Sequence, residues 1–123
     1  YAPFENWVDL VTVHTLVSPD VVKQLAGVLL VANMSNNTCE FAKEAIELAT
    51  EMETRVVGFI SQRRINDKFL CMTPGVSVTF DRKKDEDQNY RQVSEIDTDI
   101  FIVGRGIYES TNIKDTIQSF LYM

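Results

Sequence analysis

"DTDIFIVGRGIYES", Asp97 to Ser110, sets four apolar residues against a glycine, an arginine and a second glycine. Ile100, Phe101, Ile102 and Val103 form a continuous apolar run, the pattern of a strand buried on both faces in a parallel sheet covered by helices. Gly104, Arg105 and Gly106 then stand at the strand's C-terminal end. In parallel α/β folds ligands bind at that end, because the loops leaving the strands converge there.

Working outward, the same kind of run recurs upstream: "WVDLVTV" (Trp7 to Val13), "VLLVAN" (Val28 to Asn33) and "RVVGFI" (Arg55 to Ile60). Each has the Val/Ile/Leu/Phe richness of a buried parallel strand. Between the first two lies "SPDVVKQLAG", a short helix with Ser18 at the N-cap, Pro19 in the first turn and Gly27 as the stop. A longer helix is predicted from about Cys39 to Met52. Phe41, Ala45, Leu48, Ala49 and Met52 share one face there, and Asn37 with Glu40 forms a capping box. The terminal segment "NIKDTIQSFLYM" places Ile113, Ile117, Phe120 and Leu121 along one face of a last helix. The order is β-α-β-α-β, an irregular region, then β-α, which predicts a parallel sheet with right-handed crossovers and helices on its outer side.

Composition bounds the functions. The chain has 123 residues, 45% of them hydrophobic, enough for one domain or part of one. A formal net charge of -6 and a pI near 4.7 argue against a nucleic-acid backbone as partner, which needs clustered Lys and Arg in excess of acids. The dense charge cluster at Asp81 to Asp87, "DRKKDED", mixes both signs and reads as a solvated loop. No apolar stretch approaches the ~20 residues of a membrane helix, so a soluble, cytoplasmic protein is expected. Cys39 and Cys71 make no disulfide framework and read as reduced thiols, while the Asn33 and Asn36 sequons are of a kind that arises by chance. A first residue of Tyr rather than Met implies further sequence upstream.

The "GRG" triplet is no dinucleotide fingerprint, because Glu109 occupies the place of the third glycine, and no Gly-Lys-Ser/Thr of a P-loop exists. Two readings stay open on the triplet alone. One is a surface arginine in a tight turn. The other is an anion site in which bare glycine backbones admit the ligand to peptide N–H groups and the guanidinium grips it. His14, the single histidine, ends an apolar strand and reads as a packing residue rather than a general base.

Taken in order, "WVDLVTVH", "LLVANMS", "VVGFIS", "MTPGV", "DQNY" and "DIFIVGRGI" resemble the C-terminal half of the orotidine 5'-phosphate decarboxylase family, in its eukaryotic form. The likeness covers nearly the whole chain. It implies a single partial domain over residues 1–123, part of a (β/α)8 TIM barrel from about the fourth to the eighth strand. By the same likeness Ser35 would hydrogen-bond the pyrimidine, Pro74 would pack near the base, Gln88 and Tyr90 would grip the phosphate from a mobile loop, and Arg105 with the Gly104 backbone would hold it. The implied ligand is orotidine 5'-phosphate or UMP, with no metal or cofactor, in a homo-oligomer.

The departures from the family are as informative. Its catalysis rests on an Asp-x-Lys-x-x-Asp motif with a further lysine and aspartate, and none of these is present here, so no catalytic residue is assigned. The loop after "ANMS" is short, and Asn33 stands where the eukaryotic enzymes usually have glutamate. A complete barrel typically needs about 250 residues. Two functions follow as alternatives: the binding half of a decarboxylase, or a non-catalytic half-barrel relative that binds a phosphorylated ligand or a protein.

Overall fold

The computed structural model describes residues 7–33, 41–77, 91–92 and 95–121. Its chain order is β1 (Val11–His14), α1 (Pro19–Lys23), β2 (Val28–Val31), α2 (Ala42–Glu51), β3 (Val56–Ile60), β4 (Leu70–Thr73), β5 (Val76–Ser77), β6 (Arg91–Gln92), β7 (Ile100–Phe101), α3 (Arg105–Tyr108) and α4 (Ile113–Leu121). The main sheet has five strands in the order β1-β2-β3-β4-β7, every neighbouring pair parallel. Strands thus add to the sheet in the order in which the chain makes them. β5 and β6 form a separate parallel pair. The architecture is α/β and consistent with part of a TIM barrel.

Helix α1 starts where the sequence says it should. Ser18 is the N-cap, its Oγ accepting the Asp20 N–H at 3.3 Å, and Pro19 opens the first turn. The helix stops at Lys23 with Gln24 as its cap, so Gly27 is not its terminator. Gly27 serves the sheet instead: its carbonyl accepts the Val11 N–H at 3.0 Å, and a Cβ there would lie 2.5 Å from the Asp9 carbonyl oxygen. In α2 the apolar face buries Ala45, Leu48 and Ala49, and the helix begins at Ala42 with Phe41 as N-cap. The expected capping box at Asn37 and Glu40 lies outside the described residues.

One face of the sheet receives both helices. Val13, Val28, Leu30 and Phe59 meet Val22 and Leu25 around α1 and Ala45, Leu48 and Ala49 from α2 in a single core, and Phe69 closes edge-to-face on Phe59 with ring centroids 5.5 Å apart. A register shift in the β2–β3 ladder takes the pairing from Val28↔Val56 to Leu29↔Gly58, leaving Val57 as the extra, exposed residue of a bulge. Gly58 is then pressed onto β4, where a Cβ would stand 2.0 Å from the Leu70 carbonyl oxygen.

Two expectations are corrected here. The stretch before "PGV" contains β4, a full strand of the sheet. Its sequence Leu-Cys-Met-Thr alternates half-buried and buried positions, a pattern too short to announce itself beside Lys68 and Pro74. The last strand is also not buried on both faces: Ile100 and Ile102 are exposed, and only Phe101 and Val103 are half-buried. The cause is position, since β7 occupies the edge of the five-stranded sheet. Helix α4 likewise has no buried residue. Ile113, Ile117 and Leu121 of its predicted face are exposed, and Phe120 is half-buried.

Candidate functional site

All five strands of the main sheet run the same way, so their C-terminal ends share one rim. Four buried polar side chains stand at that rim: Thr15 after β1, Asn33 after β2, Ser61 after β3 and Thr73 at the end of β4. Each has a hydrogen-bonding neighbour there. Thr15 Oγ1 donates to the Val31 carbonyl at 2.7 Å, Asn33 Nδ2 donates to Ser61 Oγ at 3.4 Å, and Thr73 Oγ1 lies 3.9 Å from Cys71 Sγ. Burying a polar side chain is costly unless it is bonded in this way. His14 belongs to the same rim. Its side chain is exposed, its Nδ1 accepts the Leu16 N–H at 3.1 Å and its ring meets Phe41 edge-on at 5.3 Å, so it makes local contacts and is not part of the buried core.

A pocket of about 210 Å³ opens at the C-terminal ends of the adjacent strands β4 and β7. Pro74, Gly75 and Val76 form one wall, and Ile102, Gly104, Arg105 and Tyr108 form the other. Each wall has a local cause. Gly75 adopts φ 71°, the left-handed conformation that lets the chain turn sharply after Pro74. Val76 then pairs with Arg91 in the β5–β6 ladder. On the opposite wall Gly104 caps α3 and accepts the Ile107 N–H at 2.9 Å. A Cβ at Gly104 would meet only Tyr108 Cε1, at an ordinary 3.7 Å, so the absent side chain keeps backbone open to the pocket without serving tight packing.

Of the six residues assigned from the sequence, Pro74, Gly104 and Arg105 come together around this pocket although 30 positions separate the two motifs. Ser35, Gln88 and Tyr90 lie outside the described residues. Val76, Ile102 and Tyr108 also line the pocket and had no sequence signal beyond their nearness to those motifs. Among the described residues no group of His, Cys, Asp or Glu side chains is arranged to hold a metal ion, and no helix is long and apolar enough to cross a membrane. Cys71 is a buried thiol whose Sγ lies 3.4 Å from the Arg63 carbonyl.

A second polar group, absent from the sequence reading, sits at the opposite end of the same two strands. Arg64 Nη1 and Nη2 donate to the two carboxylate oxygens of Asp99, each at 2.9 Å, and Nε donates to Asp97 Oδ1 at 3.1 Å. Asp99 Oδ2 also accepts the Cys71 N–H at 2.8 Å. The guanidinium first, and the Cys71 N–H second, hold the Asp99 carboxyl below the ordinary carboxylate range, and the two carboxylates push Arg64 up in turn. No local pattern links residues 35 positions apart in the chain.

The model of the orotidine 5'-phosphate decarboxylase / HUMPS family matches residues 1–120. The chain belongs to this family. Among curated proteins it is 37% identical over 125 residues to the uridine 5'-monophosphate synthase of Bos taurus, covering 87% of this chain and 26% of that protein. It is 36% identical to the orotidine 5'-phosphate decarboxylase of Saccharomycopsis fibuligera, covering 83% of this chain and 47% of that one. The Saccharomyces cerevisiae decarboxylase is 32% identical over 84% of this chain and 47% of its own length. The chain therefore spans about a quarter of the synthase and about half of the decarboxylases.

Proposed function

We propose that this chain is the C-terminal, phosphate- and pyrimidine-binding part of an orotidine 5'-phosphate decarboxylase barrel, comprising about its fourth to eighth strands, and that it acts in the conversion of orotidine 5'-phosphate to UMP. The observation that carries this reading is the convergence of Pro74, Gly104 and Arg105 on one pocket at the C-terminal ends of adjacent parallel strands. A guanidinium beside open glycine backbone suits a phosphate, which accepts paired N–H bonds in a plane and tolerates close approach of main chain. Pro74 offers the opposite wall an apolar surface for a base. Ser35 would bond the pyrimidine, and Gln88 with Tyr90 would grip the phosphate.

Binding and turnover separate in this proposal. Loss of CO₂ from the pyrimidine C6 leaves negative charge on carbon, which the family meets with a lysine held among carboxylates and no cofactor. The 123 residues contain no Asp-x-Lys-x-x-Asp, so they bind the nucleotide and do not by themselves decarboxylate it. The whole enzyme would be a cytoplasmic homo-oligomer. One observation favours a second reading, a non-catalytic relative: at the position where the eukaryotic enzymes usually have glutamate stands Asn33, which is buried and bonded to Ser61.

Titration of UMP into the wild-type chain and Arg105→Ala tests the pocket. Loss of a charge-assisted, two-pronged contact should cost roughly 1.5–3 kcal/mol, or about tenfold to a hundredfold in affinity. Equal affinities would overturn the phosphate assignment. Measurable turnover of orotidine 5'-phosphate by the 123-residue chain would overturn the claim that it only binds.

A further inference from the structure

We infer that Arg64 and Asp99 are positioning residues for the anion pocket, forming a clamp that sets the register of β7 and thereby places Gly104 and Arg105 opposite Pro74. The inference rests on the anion-binding reading of the pocket given above.

Strand β7 is weakly attached by its own ladder. Two residue pairs, Met72↔Ile100 and Thr73↔Phe101, join it to β4, and the Ile102 N–H extends the ladder to the Thr73 carbonyl at 2.8 Å. Ile100 and Ile102 are exposed, so one face of the strand gains little from burial. Two pairs and a half-covered apolar run specify register poorly, because a slip that preserves the alternation of faces changes little else. Such a slip of two residues would carry Arg105 about 6.6 Å along the sheet, away from the Pro74 wall.

The clamp removes that freedom at the strand's N-terminal end. Asp99 is held by the Arg64 guanidinium and by the main chain of β4 at once, since its Oδ2 accepts from both Arg64 Nη1 and Cys71 N–H. The Asp99 N–H and the Thr98 hydroxyl both donate back to the Cys71 carbonyl, at 3.1 and 3.0 Å. Arg64 is itself tied to the chain entering β7, because its backbone N–H donates to the Asp97 carbonyl at 2.8 Å. Arg64 and Asp99 are 22% and 33% exposed in their side chains while Asp97 is 77% exposed. The Asp99 pair is therefore the specific contact and the Asp97 pair the weaker one. With the N-terminal end of β7 locked to Cys71, the residues following its C-terminal end fall beside Pro74, just past the end of β4.

The experiment combines amide hydrogen exchange with UMP titration on the wild-type chain, Arg64→Met, Arg64→Lys, Asp99→Asn and Arg105→Ala. Arg64→Met should speed exchange of the Ile102 amide by about fivefold or more, while the Ala45 amide of α2 keeps its protection, and should weaken UMP binding by a similar factor. Arg64→Lys should restore part of both, as a conservative variant does for a charge-dependent clamp. Arg105→Ala should abolish most UMP binding and leave Ile102 exchange unchanged. Unchanged Ile102 exchange in Arg64→Met would overturn the clamp. Faster exchange with wild-type UMP affinity would overturn its positioning role. Equal UMP affinity in the wild type and Arg105→Ala would instead overturn the reading of the pocket, and the Ile102 exchange would still decide whether the clamp exists.

Discussion

At the scale of single residues, three glycines that look alike in the sequence have three different duties. Gly58 permits a close approach of two strands: a Cβ there would penetrate to 2.0 Å from the Leu70 carbonyl oxygen, a backbone atom that cannot step aside. Gly75 supplies the positive φ of 71° for the turn after Pro74. Gly104 does neither and keeps backbone open beside Arg105. Gly58→Ala should therefore destabilise the chain by about 3 kcal/mol, since β3 and β4 must separate. Gly75→Ala should cost only about 1–2 kcal/mol, the penalty for an L-residue in the left-handed region. Chemical denaturation of both variants checks the ranking, and a Gly58→Ala chain as stable as wild type would show that the β3–β4 contact is looser than described.

Among the elements, α2 and β3 are anchored by burial and β7 by charge, and the difference sets how each responds to acid. Phe59 of β3 is fully buried, and apolar packing does not titrate. The Asp99 carboxyl in the β7 clamp is held below its ordinary range by Arg64 and then by the Cys71 N–H. A carboxyl whose pKa is lower folded than unfolded adds stability that is complete above the unfolded value, near 3.9, and fades as pH falls through the folded value. The wild-type chain should thus be more stable than Asp99→Asn at pH 7, and the gap in Tm should close as the pH falls below about 4. A gap that stays constant down to pH 2 would show that the clamp charge contributes nothing. Truncating the packed strand should act at every pH: Phe59→Ala should cost about 3–5 kcal/mol throughout.

For the whole molecule, the governing fact is the apolar surface that the described residues leave exposed. The helix-facing side holds the core, whereas Ile100, Ile102, Ile113, Ile117 and Leu121 remain between 39% and 70% exposed. Apolar surface on this scale, together with sheet edges, favours association. Sedimentation velocity over a rising protein concentration should show the 14.0 kDa chain entering larger species. A stable, well-folded monomer at high concentration would contradict the half-barrel proposal, because an open barrel interior would then be tolerated by water.

The local sequence settled what local physics controls. Runs of Val, Ile and Leu separated by helical spacing gave β1, β2, β3 and the parallel order, and Ser18-Pro19 marked the start of α1, because burial and capping act within a few residues of each other. The motif resemblance singled out Pro74, Gly104 and Arg105. What only the tertiary structure decided is how distant segments meet. It placed Leu70–Thr73 as a strand between β3 and β7, left β7 at an edge with one face exposed, and joined Arg64 to Asp99 across 35 positions. Edge against centre and pair against solvent depend on which neighbours the fold supplies. A short stretch of chain carries no record of those neighbours, so the sequence named residues for the pocket while the sheet determined that they share it.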